Sequence, residues 1–187
     1  MKIDRNKIID ENQGFVLDKV DDFSIFRSFT CGDDDLNEFI HKDAETHKTE
    51  LLAETYVLRL QEIDSPIAFC SLCNDTIQLS PDARKKILPE KKQYRYHPAV
   101  KIARLGVHED FHGKEIGSYL IELIKNFFMI DNRTGCRFVT VDAYNTEKVL
   151  NFYKKNHFQF LNQKDAKKDT RAMYFDLKRL KKKLDSE

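Results

Sequence analysis

Residues 103–120, ARLGVHEDFHGKEIGSYL, run without a break from an apolar strand through a turn carrying Gly113 and Gly117 into an amphipathic helix. A glycine-bearing turn feeding a helix N-terminus gathers several unpaired backbone N–H groups in one place. The positive end of the helix dipole lies behind them, so such a turn suits the phosphates of a nucleotide-type cofactor. The strand extends back to Val100, and the helix runs from Ile116 to Ile130 with Ile121, Ile124, Phe127 and Phe128 on its apolar face.

Working outward, Phe15–Val20 reads as a first strand, and 33–52 as a helix capped by aspartates, with Leu36, Phe39, Ile40, Ala44 and Leu51 inward. TYVLRLQ (55–61) alternates and is β-branched, hence a strand. Asp64-Ser65-Pro66 marks a turn, and 67–73 a second strand. Residues 80–98 are polar, with three prolines and two lysine pairs, and read as a loop holding a short helix near 82–88. Phe138–Ala143 is a strand, Thr146–Lys155 a helix, and Phe158–Leu161 and Arg171–Leu177 are strands before a lysine-rich tail. The order β α β β (loop) β α β α β β predicts an α/β (α+β) chain with a mixed sheet and helices on both faces. No repeat, low-complexity tract or linker divides residues 1–187, so a single domain is expected.

The net charge of +1 conceals an asymmetry: residues 1–60 carry −6 and residues 148–187 carry +7. An acidic front and a basic end can present different faces to different partners. MKIDRNK opens polar with no apolar h-region, and no run approaches the ~20 apolar residues of a membrane helix. The expectation is a cytoplasmic chain that makes no use of a membrane. Four cysteines are too few for a disulfide framework. Cys70 and Cys73 form a C-x-x-C pair inside an apolar run, with no second pair and no nearby histidine. At period two they point to opposite faces, so core packing rather than metal binding is expected.

Three segments carry a resemblance. They are RLGVHEDFHGKEIGSYL, then VDAYNTEKVLNFYKKNHFQF with an Asn at a helix start and a Tyr in its last turn, and TCGDDDLNEFIHKDA near the N-terminus. Together, from about Phe29 to Leu177, they resemble the GNAT superfamily of acetyl-CoA-dependent N-acyltransferases. The resemblance implies a mostly antiparallel central sheet of six to seven strands. The family's turn pattern, Gln/Arg-x-x-Gly-x-Gly/Ala, falls on 112–117, where only Gly117 is kept. His112 replaces Gln/Arg and Glu115 replaces the middle glycine, although Gly113 is common in the family.

By that resemblance, the cofactor's phosphates would meet the turn at His112, Gly113, Lys114, Glu115, Ile116, Gly117 and Ser118. Its pantetheine arm would pair with the backbone of Leu105, Gly106 and Val107. A core strand offers no packing reason for Gly106, whereas a bulge would use its conformational freedom. Asn145 would cap the later helix and contact the cofactor. Tyr153 matches the tyrosine that serves as general acid toward the departing CoA thiolate, a reasonable transfer from a phenol of pKa ~10 to a thiolate whose acid is near ~8.5. His157 stands where the family commonly has glycine. The implied mechanism is direct attack of an amine on the thioester in a ternary complex, with a strand N–H such as that of Val107 polarising the carbonyl. Glu109, His108 and His97 are candidate bases, and none stands out.

Cys31, Gly32, Leu36, Asn37, Phe39 and Ala44 match the F-x-C-G-x-x-x-L-[DN]-x-F-[LI]-x-x-x-A segment of a GNAT branch that includes bacterial toxins. Those toxins acetylate aminoacyl-tRNA and are neutralised by an antitoxin. The resemblance therefore implies a small-molecule or protein amine as acceptor, with aminoacyl-tRNA as the alternative. A third reading is an acyl-CoA-binding module whose catalysis has decayed through His112 and Glu115. GNAT proteins often form homodimers, but nothing in the sequence marks an interface.

Overall fold

β-Branched and aromatic residues set out in alternation build most of the strands, and the computed structural model describes residues 2–3, 7–10, 14–61, 63–88, 94–130, 132 and 134–180. The chain forms two compact units, each made of two chain segments: Met1–Cys73 with Ile102–Asn132, and Asn74–Lys101 with Arg133–Glu187.

In the first unit, β1 (Lys2–Ile3), β2 (Lys7–Asp10), β3 (Phe15–Lys19), β4 (Glu54–Leu60) and most of β5 (Ile63–Ile77) are neighbours in chain order, each antiparallel to the next. β3 sets Phe15 opposite Leu60 and Lys19 opposite Tyr56. β4 and β5 pair from Glu54↔Leu72 to Leu60↔Ile63, with an irregularity between Leu58 and Leu60. The hairpin therefore closes before Ile63, and residues 64–66 lie within β5 rather than in the expected turn. β5 also runs on to Ile77, beyond the expected end at Cys73, because ladder hydrogen bonds do not need the apolar side chains that stop there. β1 and β2 were not anticipated; the other seven strands were.

The helix expected over 33–52 is three pieces, α1 (Asp34–Glu38), a π-turn (Phe39–Asp43) and α2 (Ala44–Thr49), and it ends before Leu51, which is exposed at φ +57° rather than inward. The wider turn lets Phe39, Ile40 and Ala44 all face inward, with Ala44 fully buried. Phe26, Phe29 and Phe39 close on Phe69 of β5, at ring-centroid distances of 5.9, 5.5 and 6.4 Å. Aromatic pairs of this kind contribute ~0.5–1.5 kcal/mol each beyond the area they bury. The last residues of β6 (His97–Val107) belong to this unit, as does α4 (Ile116–Ile130), whose bounds are those read from the sequence. Its inward face is Leu120, Ile121, Leu123, Ile124 and Phe127, while Phe128 is only half-buried.

In the second unit, α3 (Pro81–Ile87) starts from Ser80, whose hydroxyl accepts from the Ala83 N–H at 3.2 Å, with Pro81 at the first helical position. The start of β6 runs parallel to β7 (Phe138–Tyr144), with Ala99 opposite Phe138. β7 is antiparallel to β9 (Thr170–Asp176), which pairs in turn with β8 (Gln159–Phe160). Between β7 and β8 lies α5 (Glu147–Lys155). Ile77, Leu79, Leu88, Ala99, Phe138 and Tyr174 form a core cluster. The sheet is thus mixed and mostly antiparallel, and no helix among the described residues is long and apolar enough to cross a membrane.

Candidate functional site

Leu105 through Ser118 lie in the first unit, and Asn145 and Tyr153 in the second. Each group has its own local architecture.

In the first unit, Leu105, Gly106 and Val107 close β6, and a short 3₁₀ turn (Glu109–Phe111) leads into the glycine turn. The Glu109 N–H donates to the Thr30 carbonyl at 2.9 Å, tying this segment to the loop ahead of α1. His108 caps the 3₁₀ turn, its Nδ1 accepting from the Asp110 N–H at 3.3 Å, and its ring packs edge-on against Phe29 at 5.5 Å. That contact engages the Nδ1 lone pair of His108. Glu109 is exposed, and His97 is buried in the second unit.

His112 puts Nε2 2.9 Å from the Val107 carbonyl. A carbonyl only accepts, so Nε2 carries the proton and donates, pinning the strand end to the turn. The imidazole thus clasps the Val107 oxygen, which belongs to the 107–108 peptide, and makes no demand on the Val107 N–H of the preceding peptide. Gly113 has φ +75°, and a Cβ placed on it would meet nothing within 4 Å. Glu115 has φ +60°, so a glutamate holds a left-handed conformation at the position where the family pattern has glycine. The Glu115 carbonyl accepts from the Tyr119 N–H at 3.0 Å and so starts α4. His112, Gly113, Lys114 and Glu115 are all exposed. The first turn of α4 contains no acidic residue, and its N–H groups lack helical partners by construction. The donor set, open space beside Gly113 and dipole suit a pyrophosphate, with Glu115 out in solvent rather than across the amides.

Gly106 corrects one expectation. A Cβ there would lie 2.6 Å from Cε1 of Phe69, so the buried Phe69 ring is a packing reason for glycine on this strand.

The Cys31–Ala44 segment is largely explained by its local structure. Asn37 Oδ1 accepts from the Cys31 N–H at 2.9 Å and from its Sγ at 3.2 Å, while Asp33 Oδ1 accepts from the Leu36 N–H at 3.0 Å. Gly32 turns the chain at φ +70°. Leu36, Phe39 and Ala44 pack in the aromatic core. The sequence reading passed over Arg104, a charge within the apolar strand VKIARLGV. Its guanidinium lies 5.2 Å over the Phe39 ring, with Nε 3.7 Å from Asp35, and so faces α1.

In the second unit, α5 begins at Glu147 with Thr146 as its N-cap, not Asn145. The Asn145 Nδ2 instead donates to the carbonyls of Ala166 (3.1 Å) and Lys168 (2.8 Å), fastening the 166–168 loop. A short Asn-Thr pair leaves the cap position ambiguous in sequence, and the partners lie too far along the chain to be read. Tyr153 is buried, edge-on to Phe152 at 5.0 Å and Phe158 at 5.4 Å. Among the described residues its hydroxyl has no hydrogen-bond partner. Burial pushes the phenol well above its ordinary pKa, so Oη keeps its proton throughout the physiological range. His157 follows α5 at φ +64°, a second left-handed position filled by a side chain where the family has glycine.

Cys70 is fully buried, Cys73 partly so, and neither is in a disulfide. Burial raises the Cys70 thiol pKa strongly, which fits packing rather than reactivity. Among the described residues no cluster of His, Cys, Asp and Glu could hold a metal ion.

No curated protein matches the sequence. Among solved structures, a tyrosine-to-phenylalanine mutant of the toxin AtaT is 20% identical at TM-score 0.72, covering 91% of this chain and 94% of that one. AtaT complexed with acetyl-methionyl-tRNAfMet is 19% identical at TM-score 0.74, covering 91% and 99%. A tyrosine-to-phenylalanine mutant of KacT is 18% identical at TM-score 0.74, again covering 91% and 99%. At these identities the likeness speaks to the fold. The family model described as an acetyltransferase (GNAT) domain matches residues 53–160, more than half of the protein, and the chain belongs to the GNAT acetyltransferase family.

Proposed function

We propose that this protein is an N-acetyltransferase that takes an acetyl group from acetyl-CoA and delivers it to an amine by direct attack. The observation that carries the reading is the exposed turn at Gly113–Gly117 that leads into the N-terminus of α4, with no acidic residue in the first helical turn and an unobstructed Gly113. AtaTR, a fold relative at 20% identity, has been solved with AcCoA.

Acetyl-CoA, when bound, supplies an acetyl group activated as a thioester. The first-turn N–H groups of α4 would hold its phosphates, and the Gly106–Val107 backbone would orient its arm. The His112 clasp on the Val107 carbonyl fixes that backbone beforehand, which lowers the ordering cost of binding. Tyr153 stores a proton at Oη, and a departing thiolate needs one. The amine would attack in its neutral form, losing its proton to water or to a base the described residues do not single out.

A specific observation favours aminoacyl-tRNA as the second reading of the acceptor. The Cys31–Ala44 segment matches the toxin branch, and AtaT with acetyl-methionyl-tRNAfMet shares the fold. The basic balance of residues 148–187 agrees with an RNA acceptor.

The test is release of free CoA on mixing the protein with acetyl-CoA and either a panel of amines or charged tRNA. Thiol release with simple amines supports the first reading, and salt-sensitive release only with charged tRNA supports the second. Cofactor binding without turnover of any acceptor would leave a binding module and refute both.

A further inference from the structure

The second unit contains a cavity of about 390 Å³ that the transfer reaction does not use. It lies where the end of α3, the start of β7, and β8 and β9 come together. Among the described residues its lining is cationic: Lys86, Arg137, Lys178 and Arg179 against one carboxylate, Asp176. That carboxylate is already committed, because Arg137 grips it through Nε at 3.1 Å and Nη2 at 3.0 Å. Arg137 Nη2 also donates to the Ile87 carbonyl at 2.8 Å, which leaves Nη1 with no protein partner among the described residues. Lys86, Lys178 and Arg179 are exposed and have no carboxylate partner among the described residues. Tyr174, whose hydroxyl reaches Gln159 Oε1 at 3.5 Å, adds a neutral polar edge.

Among the described lining residues, an excess of three positive charges matches a doubly charged phosphate better than a carboxylate. Guanidinium groups beside ammonium groups are the usual phosphate-binding set. The volume falls in the range of small-ligand sites and admits a mononucleotide. We infer that this cavity binds the phosphate of a nucleotide, held by Lys86, Lys178, Arg179 and the free Nη1 of Arg137. Whether that nucleotide is free or ends a nucleic-acid strand is a difference of source, not of chemistry. Its lining residues all belong to the second unit, whereas those of the proposed cofactor turn belong to the first.

The test is an amide NMR titration of the full chain with AMP, with adenosine and with a 5′-phosphorylated trinucleotide, each repeated with acetyl-CoA in excess. Saturable shifts at the Gln159, Tyr174 and Lys178 amides are expected with AMP or the trinucleotide and not with adenosine. Whichever of the two binds more tightly identifies the source. Lys86→Glu and Arg179→Glu, both at exposed positions, should each weaken binding by roughly tenfold, as loss of charge-assisted hydrogen bonds does. No shifts at these amides, equal shifts with adenosine, or unchanged affinity in both variants would overturn the inference.

Discussion

Gly106 offers a quantitative check on the core of the first unit. Substituting alanine places a Cβ 2.6 Å from Phe69 Cε1 and 3.2 Å from both Cδ1 and Cζ, well inside van der Waals contact. The ring cannot simply swing away. Phe69 is fully buried, edge-on to Phe26 and Phe29 and stacked with Phe39. Overpacking by one methyl group in such a setting costs about 1–3 kcal/mol. For a chain of this length that lowers Tm by roughly 2–12 °C. The assay is thermal and urea unfolding of the wild type, Gly106→Ala, Phe69→Leu and the double variant. Phe69→Leu alone is destabilising because it opens a cavity, but it should tolerate the new methyl group. The double variant should therefore be more stable than the sum of the single costs allows, by about 1 kcal/mol or more. A Gly106→Ala change within about 0.5 kcal/mol of wild type, or strict additivity with Phe69→Leu, would refute the claim that packing explains this glycine.

Four further outcomes follow from the geometry. Tyr153→Phe should lower kcat by ~10²-fold or more while leaving acetyl-CoA affinity nearly unchanged, measured by thiol release and calorimetry. Because burial raises the Tyr153 pKa, the kcat profile should show no limb from tyrosine ionisation below about pH 10; such a limb near neutrality would contradict the assignment. Asn37→Ala should cost about 1–3 kcal/mol by urea unfolding, because it strips the buried Cys31 N–H of its acceptor, whereas Asn37→Asp should recover most of that loss. Burial pushes Lys125 down to about 8, so between pH 8 and the ordinary lysine range the unfolded chain binds the extra proton. Stability should therefore rise with pH across that window, and Lys125→Met should remove the slope.

How far the sequence could be read depended on how local each cause was. α4 was placed to the residue because an apolar stripe of helical period and a glycine turn both lie within one stretch. The seven main strands followed from alternation. The π-turn at 39–43 was invisible because it changes the spacing of buried residues by one, which a search for helical period tolerates. The Asp64-Ser65-Pro66 signal failed because Pro66 fits within a strand once the hairpin closes earlier. At the site, the substitutions at 115 and 157 were legible as departures from the family, but not their consequence. The backbone keeps the left-handed conformation of a glycine at both positions, so the shape survives at the cost of local strain. The capping expected of Asn145 and the absence of a packing reason at Gly106 failed for one shared reason: the partners involved, the 166–168 carbonyls and Phe69, are distant in sequence. The same holds for the phosphate-suited cavity, whose cations come from α3, from Arg137 just ahead of β7 and from the residues after β9.

Calorimetric titration of the full chain with acetyl-CoA tests the central claim most directly. The account predicts one molecule bound per chain with affinity in the micromolar range, retained in Tyr153→Phe and no weaker in Glu115→Gly, which relieves the strained φ without removing an amide. No binding by any of the three proteins would contradict it.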